Sequence, residues 1–330
     1  MSWDALYAAI AEARTQIAAV APDAETLAEG EAYLARVLAA GLGGAVLGHL
    51  FQQDGLSRAL PCYGGPNPDY LMRFAPVAEG QTYRLEGRLE GSERVGVGLY
   101  TYGANGAPLE AGYVAFDRSN VAADGSFALD IGGDALPIAP GTRVMLTRTL
   151  HRDPAADPAK LRFTGGAPAK GLSLAMGSAA GALGFVAHSL GSNVREYLKW
   201  TSAARGYRNR LDVAPPELTA TVQGDRDTQY FLGGFDLAEG EWLDVTMPAD
   251  LGAGYWSLHA YNYWYEHLQT PGAHDRNVVA DADGRIRIVV GPNPPSGAAN
   301  HIDTLGRRKG AFVCRIIGGG GCPSAEVKRG

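Results

Sequence analysis

One set of anchors occurs twice in this chain, and that repeat limits the fold more than any other feature. Ala78-Glu-Gly80 opens the first series and Ala238-Glu-Gly240 the second. Val97-Gly-Leu-Tyr-Thr-Tyr102 and Trp256-Ser-Leu-His-Ala-Tyr261 come next, then Ala123-Asp-Gly125 and Ala282-Asp-Gly284. Each series closes on a segment carrying an arginine, Arg148 or Arg315. A shared offset of about 160 residues implies two copies of one supersecondary unit.

The segments between the anchors are short, alternate apolar with polar residues, and are separated by Gly, Pro and Asp turns. In the first series they span 82–89, 95–102, 127–131 and 143–150; in the second 218–222, 229–235, 242–247, 285–290 and 312–317. A period of two marks strands with one buried face. The prediction is a mainly β protein with helical additions: two tandem antiparallel β-sandwich or jelly-roll-like domains. The high glycine and proline content, 45 and 19 residues, fits such a turn-rich chain.

Helical periodicity occurs outside the repeats. Leu6, Ile10 and Ile17 share a face that ends before Pro22, and Asp23 is an N-cap for a second helix reaching the 41–44 region. A short piece follows over 46–52, and residues 164–208 hold further helix, best over 194–204. The expected division is 1–59 helical, 60–163 first sandwich, 164–211 helical connector, 212–318 second sandwich and 319–330 flexible tail. The N-terminal helices would serve as a cap or a homo-oligomer contact.

A net charge of −6 without a basic stripe argues against nucleic acid and against an anionic membrane surface. Cys62, Cys314 and Cys322 form no CxxC pair, and an odd count is a poor disulfide framework. With no signal-peptide pattern at Met1-Ser-Trp-Asp, the expected setting is the cytoplasm. No HxH or HExxH spacing is present, so neither metal nor cofactor is expected. A metal site assembled by the fold from His259, His267, His274 and His301 stays open.

The second series contains an unusual strand, Gly254 to His267. Tyr255, Ser257, His259, Tyr261, Tyr263 and Tyr265 alternate with Trp256, Leu258, Ala260, Asn262, Trp264 and Glu266. Both sets carry polar tips on apolar bodies, where a plain core strand would use Val, Ile and Leu. A large aromatic core is the structural alternative. In the first series Asn67-Pro-Asp-Tyr70 is a proline-fixed turn presenting an amide, a carboxylate and a phenol, and ordinary turn chemistry would also explain it.

Several of these pieces resemble the DUF1214 and DUF1254 families, the former most. They are Asn67-Pro-Asp-Tyr70 with Tyr83 to Gly87, Trp256 to Glu266, Asn277, Asp281-Ala-Asp-Gly284 and Asn300-His-Ile-Asp-Thr-Leu-Gly306. The resemblance covers roughly residues 60–317 and implies two jelly-roll-like domains and no settled reaction. Tyr263 and His267 depart from the family's pattern, and the N-terminal helices lie outside it.

Two sandwiches joined by helices predict a small-molecule site in the cleft between them. The expected chemistry is cofactor-independent acid/base catalysis on an aromatic, apolar or sugar-like substrate by a hydrolase, lyase or isomerase. His301 and Asp303, at i and i+2, would be base and orienting acid. Asp69 would act with them, Tyr261 or Tyr263 would donate to an oxyanion, and Arg308 would hold an anionic group. Asn67, Tyr70, Arg73, Trp256, His259, Glu266 and Asn277 would line the cleft. One alternative is a non-catalytic carbohydrate-binding, ligand-binding or assembly module. Another is a serine hydrolase using Ser189, since Gly184-Phe-Val-Ala-His-Ser-Leu-Gly191 is similar to a nucleophile elbow.

Overall fold

The computed structural model describes residues 3–47, 52–58, 64–103, 108–166, 179–219, 224–252, 254–319, 321 and 323–329. Alternation in the first series builds a six-stranded sheet. Its order is β1 (Gln52–Gln53), β2 (Leu56–Arg58), β3 (Tyr70–Pro76), β8 (Val144–Leu150), β5 (Arg94–Tyr102) and β6 (Pro108–Asp117). A three-stranded sheet, β7 (Ser126–Ile131), β4 (Tyr83–Arg88) and β9 (Lys160–Gly165), packs on it. Leu85, Val97, Leu99, Leu129, Met145 and Leu161 fill the space between them.

The second series does the same. A five-stranded sheet runs β10 (Arg210–Val213), β11 (Thr228–Asp236), β17 (Lys309–Ile317), β13 (Tyr255–Tyr261) and β14 (Ala273–His274). A four-stranded sheet runs β16 (His301–Asp303), β15 (Arg285–Gly291), β12 (Glu241–Pro248) and β18 (Ser324–Arg329). Leu243, Val245, Leu258, Ile288, Phe312 and Ile316 lie between these two sheets. The β15–β16 pair is parallel, while the other ladders are antiparallel.

One strand order serves both halves. β2-β3-β8-β5-β6 corresponds to β10-β11-β17-β13-β14, and β7-β4-β9 to β15-β12-β18. The repeated anchors are turns of one kind: Gln81 N–H donates to Ala78 O and Glu241 N–H to Ala238 O. Gly80 and Gly240 supply left-handed φ values of 72° and 75° there, which glycine adopts without steric penalty. Arg148 and Arg315 therefore sit on corresponding central strands, β8 and β17. Arg148 lies opposite Met72 and Gly96, and Arg315 opposite Tyr230 and Ser257.

Three helices form the remaining layer: α1 (Trp3–Val20), α2 (Ala24–Leu42) and α3 (Ala179–Gly206). Asp23 caps α2 as its sequence implies, accepting from Thr26 N at 2.8 Å. Leu6, Ile17, Tyr33, Val37, Val186 and Val194 close around Tyr263 and Trp264. No helix among the described residues is long and apolar enough to cross a membrane.

Several expectations change. Residues 319–330, expected as a flexible tail, contain β18, which pairs with β12 from Glu241 to Thr246 and satisfies backbone groups an open edge would expose. Residues 218–222, expected as a strand, begin with a short helix, α4 (Pro216–Thr219), because Leu218 and Thr219 N–H groups close on Pro215 O; 220–223 lie outside the described residues. The piece expected over 46–52 falls partly on 48–51, also outside them, while 43–47 is a π-helical extension of α2. The aromatic segment is a strand only to Tyr261. Asn262 then closes a turn by accepting from Trp264 N and Glu266 N at 3.0 and 2.9 Å.

Ser189 lies well inside α3, where its Oγ donates to Phe185 O at 2.8 Å. A nucleophile elbow needs a strand and a sharp turn before the serine. Ser189 has neither, and its hydroxyl proton is already engaged.

Candidate functional site

The period of two along β13 divides its side chains between two environments. Trp256, Leu258 and Ala260 enter the second sandwich core. Tyr255, Ser257, His259 and Tyr261 face the first sandwich, and all four are buried. Tyr70 and Leu150 of the first sandwich meet Tyr255 in an apolar patch, with Tyr70 edge-on to the Tyr255 ring at 6.1 Å.

Above that patch, the Asn67–Asp69 turn docks on β13. Asn67 Nδ2 donates to Tyr255 Oη at 2.8 Å. Tyr255 Oη is 2.7 Å from both Asp69 Oδ2 and Ser257 Oγ. Asp69 Oδ1 stands 3.6 Å from His259 Nε2. The turn keeps this geometry because Asn67 Oδ1 accepts from Asp69 N at 3.1 Å, an Asx turn of the kind Asn-Pro favours.

Burial pushes the Asp69 carboxyl up, but the His259 ring and the Tyr255 hydroxyl outweigh it and hold the group at about 2. Burial lowers the His259 pKa, and Asp69 only partly restores it, so the ring is neutral at pH 7. A neutral ring with Nε2–H toward the carboxylate leaves Nδ1 as a bare acceptor. That atom is buried and has no hydrogen-bond partner among the described residues.

A second group continues from the first. Arg315, at 5 % exposure, donates through Nη1 to Tyr261 Oη at 2.8 Å and through Nη2 to Gly65 O. Tyr261 in turn donates to Pro66 O at 2.8 Å, so its proton is committed. Tyr265 stacks on Tyr261 at 5.2 Å, and its buried hydroxyl has no partner among the described residues. Burial drives the Tyr265 phenol well above its ordinary pKa, so it is a proton donor and not a phenolate. His267 packs edge-on to His259 and Tyr261, at 5.6 and 5.8 Å. Burial, with His259 and Arg315 nearby, lowers its pKa to about 4.

Ion pairs brace the rim between the sandwiches. Arg152 engages Glu93 and Asp275 and lies 5.0 Å above the Tyr255 ring. Arg276 reaches Glu93 at 2.8 Å, and Arg94 reaches Asp225 at 3.7 Å. Among the described residues, no group of three or more His, Cys, Asp or Glu side chains is placed to hold a metal ion.

Of the residues singled out from the sequence, Asn67, Asp69, Tyr70, His259 and Tyr261 come together here. The others do not. His301 and Asp303 share a face of β16, as their spacing implies, but β16 is an edge of the other sheet. There His301 Nε2 is 2.8 Å from Gly291 O, and Asp303 Oδ1 accepts from Leu305 N at 2.7 Å. Trp256 is core. Tyr263 donates to Val20 O at 2.9 Å and belongs to the helical layer. Glu266 pairs with Arg36 at 2.6 Å and ties the Asn262 turn to α2. Asn277 closes a local turn, accepting from His274 N at 2.7 Å. Arg73 lies on the other face of β3, beside Arg58, and Arg308 is exposed. Missing from the sequence-derived set are Tyr255, Ser257, Tyr265, His267 and the two buried arginines. The alternation along β13 and the repeated arginine at the end of each series were the available signals.

An uncharacterised protein from Burkholderia cenocepacia has this fold. Its crystal structure matches with a TM-score of 0.86 over 99% of this chain and 96% of that one, at 24% identity. A Vibrio parahaemolyticus protein matches over 90% of this chain and all of its own at 11% identity, but its TM-score of 0.46 is too low to carry an argument. No family model and no curated protein matches the chain.

Proposed function

We propose that the protein is a small-molecule enzyme performing acid/base chemistry between its two sandwiches, with His259 as the base. The supporting observation is His259 itself: fully buried, facing the Asp69 carboxylate through Nε2, with Nδ1 unpartnered. Leaving a buried polar atom unsatisfied costs about 1–3 kcal/mol, and such atoms cluster where a ligand completes the bonding. In this reading Asp69 orients the ring, Nδ1 takes a proton from the ligand, and the Tyr265 hydroxyl donates to the oxygen on which charge develops. Tyr261 and Arg315 hold Tyr265 and the 65–66 backbone in place. The residues proposed for the site are phenols and imidazoles, which suit an aromatic, apolar or sugar-like substrate that carries a polar group for His259 Nδ1. The DUF1214-like pieces at Asn67–Tyr70 and on β13 are then the parts that meet at the site.

The test is consumption of a metabolite mixture by the purified protein, without added cofactor, followed by mass spectrometry. Loss of an effective general base lowers a rate by about 10²–10⁴-fold. His259→Gln is expected to lower turnover by that amount, whereas His301→Ala and Ser189→Ala leave it intact. Turnover that survives His259→Gln but is lost in His301→Ala overturns the assignment. A non-catalytic ligand-binding module is the second reading, favoured by Arg148 on β8, which is buried with no acceptor for its terminal nitrogens among the described residues. Saturable binding with no turnover of any bound compound would select it.

A further inference from the structure

The arginine of the first repeat is placed differently from its counterpart. Arg315 spends its guanidinium on Tyr261 Oη and Gly65 O. Arg148 is equally buried, at 4 % exposure, yet among the described residues neither Nη1 nor Nη2 has a hydrogen-bond acceptor. Its guanidinium lies 5.6 Å from the Tyr100 ring centroid, and the Tyr100 ring and hydroxyl together favour the charge without making a well-aligned hydrogen bond to either terminal nitrogen. The groups around it come from both sandwiches. Tyr100 Oη donates to Gly224 O at 3.2 Å, and Tyr230 Oη accepts from Asp225 N at 2.9 Å.

The acid whose charge reaches Arg148 is Asp225. That carboxylate is engaged through Oδ1, which lies 2.7 Å from Tyr113 Oη, 3.0 Å from Asp227 N and 3.7 Å from Arg94; its Oδ2 is buried, has no hydrogen-bond partner among the described residues and makes no hydrogen bond to Arg148. Gly96, the β5 neighbour of Arg148, keeps the space above that strand open for this arrangement. A Cβ there would lie 2.7 Å from Tyr113 Oη and 3.4 Å from Asp225 Oδ2. Two buried cations, Arg148 and Arg315, thus sit on facing sheets, and neither makes a hydrogen bond to Asp225 or Asp69. A buried charge without a counterion is among the most expensive features a fold can keep. A guanidinium with both terminal nitrogens free presents the planar fork that a carboxylate fills with two parallel hydrogen bonds.

We propose that Arg148 anchors the carboxylate of a small organic ligand bound between the sandwiches. The proposal rests on the inter-sandwich site described above for its location, and not on His259 acting as a base. The unpartnered hydroxyl of Tyr70, buried beside Tyr255, gives the same ligand a neutral donor. A compact tetrahedral anion such as phosphate fits a planar two-pronged donor less well.

The experiment is thermal and urea unfolding of the full chain with acetate, benzoate, benzamide or inorganic phosphate, in wild type, Arg148→Met, Arg148→Lys and His259→Gln. A ligand that binds only the folded state raises its unfolding midpoint, and the gain grows with the logarithm of ligand concentration above its Kd. Wild type is expected to gain stability with carboxylates and not with benzamide. Arg148→Met should lose that gain while being at least as stable as wild type without ligand, because an uncompensated buried charge has been removed. Arg148→Lys keeps the charge without the fork and should respond at least tenfold more weakly. His259→Gln should keep a carboxylate response that Arg148→Met loses, which separates this proposal from the assignment of the base. A carboxylate response unchanged in Arg148→Met, a response to phosphate alone, or no response in wild type overturns it. A ligand-free Arg148→Met that is less stable than wild type also overturns it, since that makes the arginine a structural support.

Discussion

Trp264→Ala destabilises the protein by about 3–5 kcal/mol, the range for removing a fully buried large aromatic side chain. Trp264 is 1 % exposed and stands where the second sandwich meets the helical layer. Its ring stacks on Tyr33 at 6.0 Å, and its Nε1 donates to Thr26 O at 2.9 Å near the start of α2. Gly30 exists to let it in: a Cβ at that position would lie 2.6 Å from Ile17 and 2.7 Å from the Trp264 ring. Truncation therefore leaves a cavity among α1, α2 and α3 and removes the indole hydrogen bond that ties the turn to α2. Urea unfolding followed by far-ultraviolet circular dichroism measures the loss. A change below about 1 kcal/mol, the size typical of exposed positions, would mean that the helices dock by other contacts.

Acid weakens the fold between pH 6.5 and 4, before the carboxylates titrate. His259, His267 and His274 all have pKa values lowered from 6.5, chiefly by burial, and His267 falls to about 4. A histidine whose folded pKa is depressed leaves the unfolded chain to take up the proton first. Full stability is present above 6.5 and is lost as the pH falls toward the folded value. His267 alone accounts for about 2 kcal/mol after allowance for its partial exposure. Asp69 contributes in a separate window. Its pKa is lowered from 3.8 to about 2, so its share is intact above 3.8 and disappears only below that. Unfolding free energies measured at pH 7.5, 6 and 4.5 are expected to decline, and His267→Gln should flatten the decline. A level profile over that range would contradict the burial of these rings.

The duplication was legible because it is written in turns. Ala-Glu-Gly and Ala-Asp-Gly place a left-handed glycine at fixed points, and everything between alternates by two. Sheet order follows from that repetition. What stayed hidden had weaker local marks: β6 lacks strong apolar contrast, β9 alternates cleanly but for only six residues, and the charged outer positions of β18, Glu326 and Lys328, read as a solvated tail. Spacing also misled. His301 and Asp303 do share a strand face, but i and i+2 says nothing about which sheet that strand joins. The Asn300–Gly306 segment owes its pattern to local bonding. Asn300 Nδ2 donates to Val279 O and Arg287 O at 2.8 and 2.9 Å, and Thr304 Oγ1 donates to Arg307 O at 2.6 Å. Asp69 and His259 were both visible as polar groups at turn-fixed or alternating positions. Their pairing depends on how the two sandwiches face one another, 190 positions apart in the chain, and no local pattern encodes it.

Nitrogen-15 NMR of the histidine rings against pH, in wild type and in Asp69→Asn, tests that pairing most directly. In wild type His259 should titrate below the ordinary 6.5, with its proton on Nε2 while neutral. The Asp69 carboxylate favours the charged ring, so replacing it with an amide should lower the His259 value further and leave the ring neutral over a wider range. A His259 that titrates at or above 6.5, or that is unmoved by Asp69→Asn, would show that the carboxylate and the imidazole do not share a site.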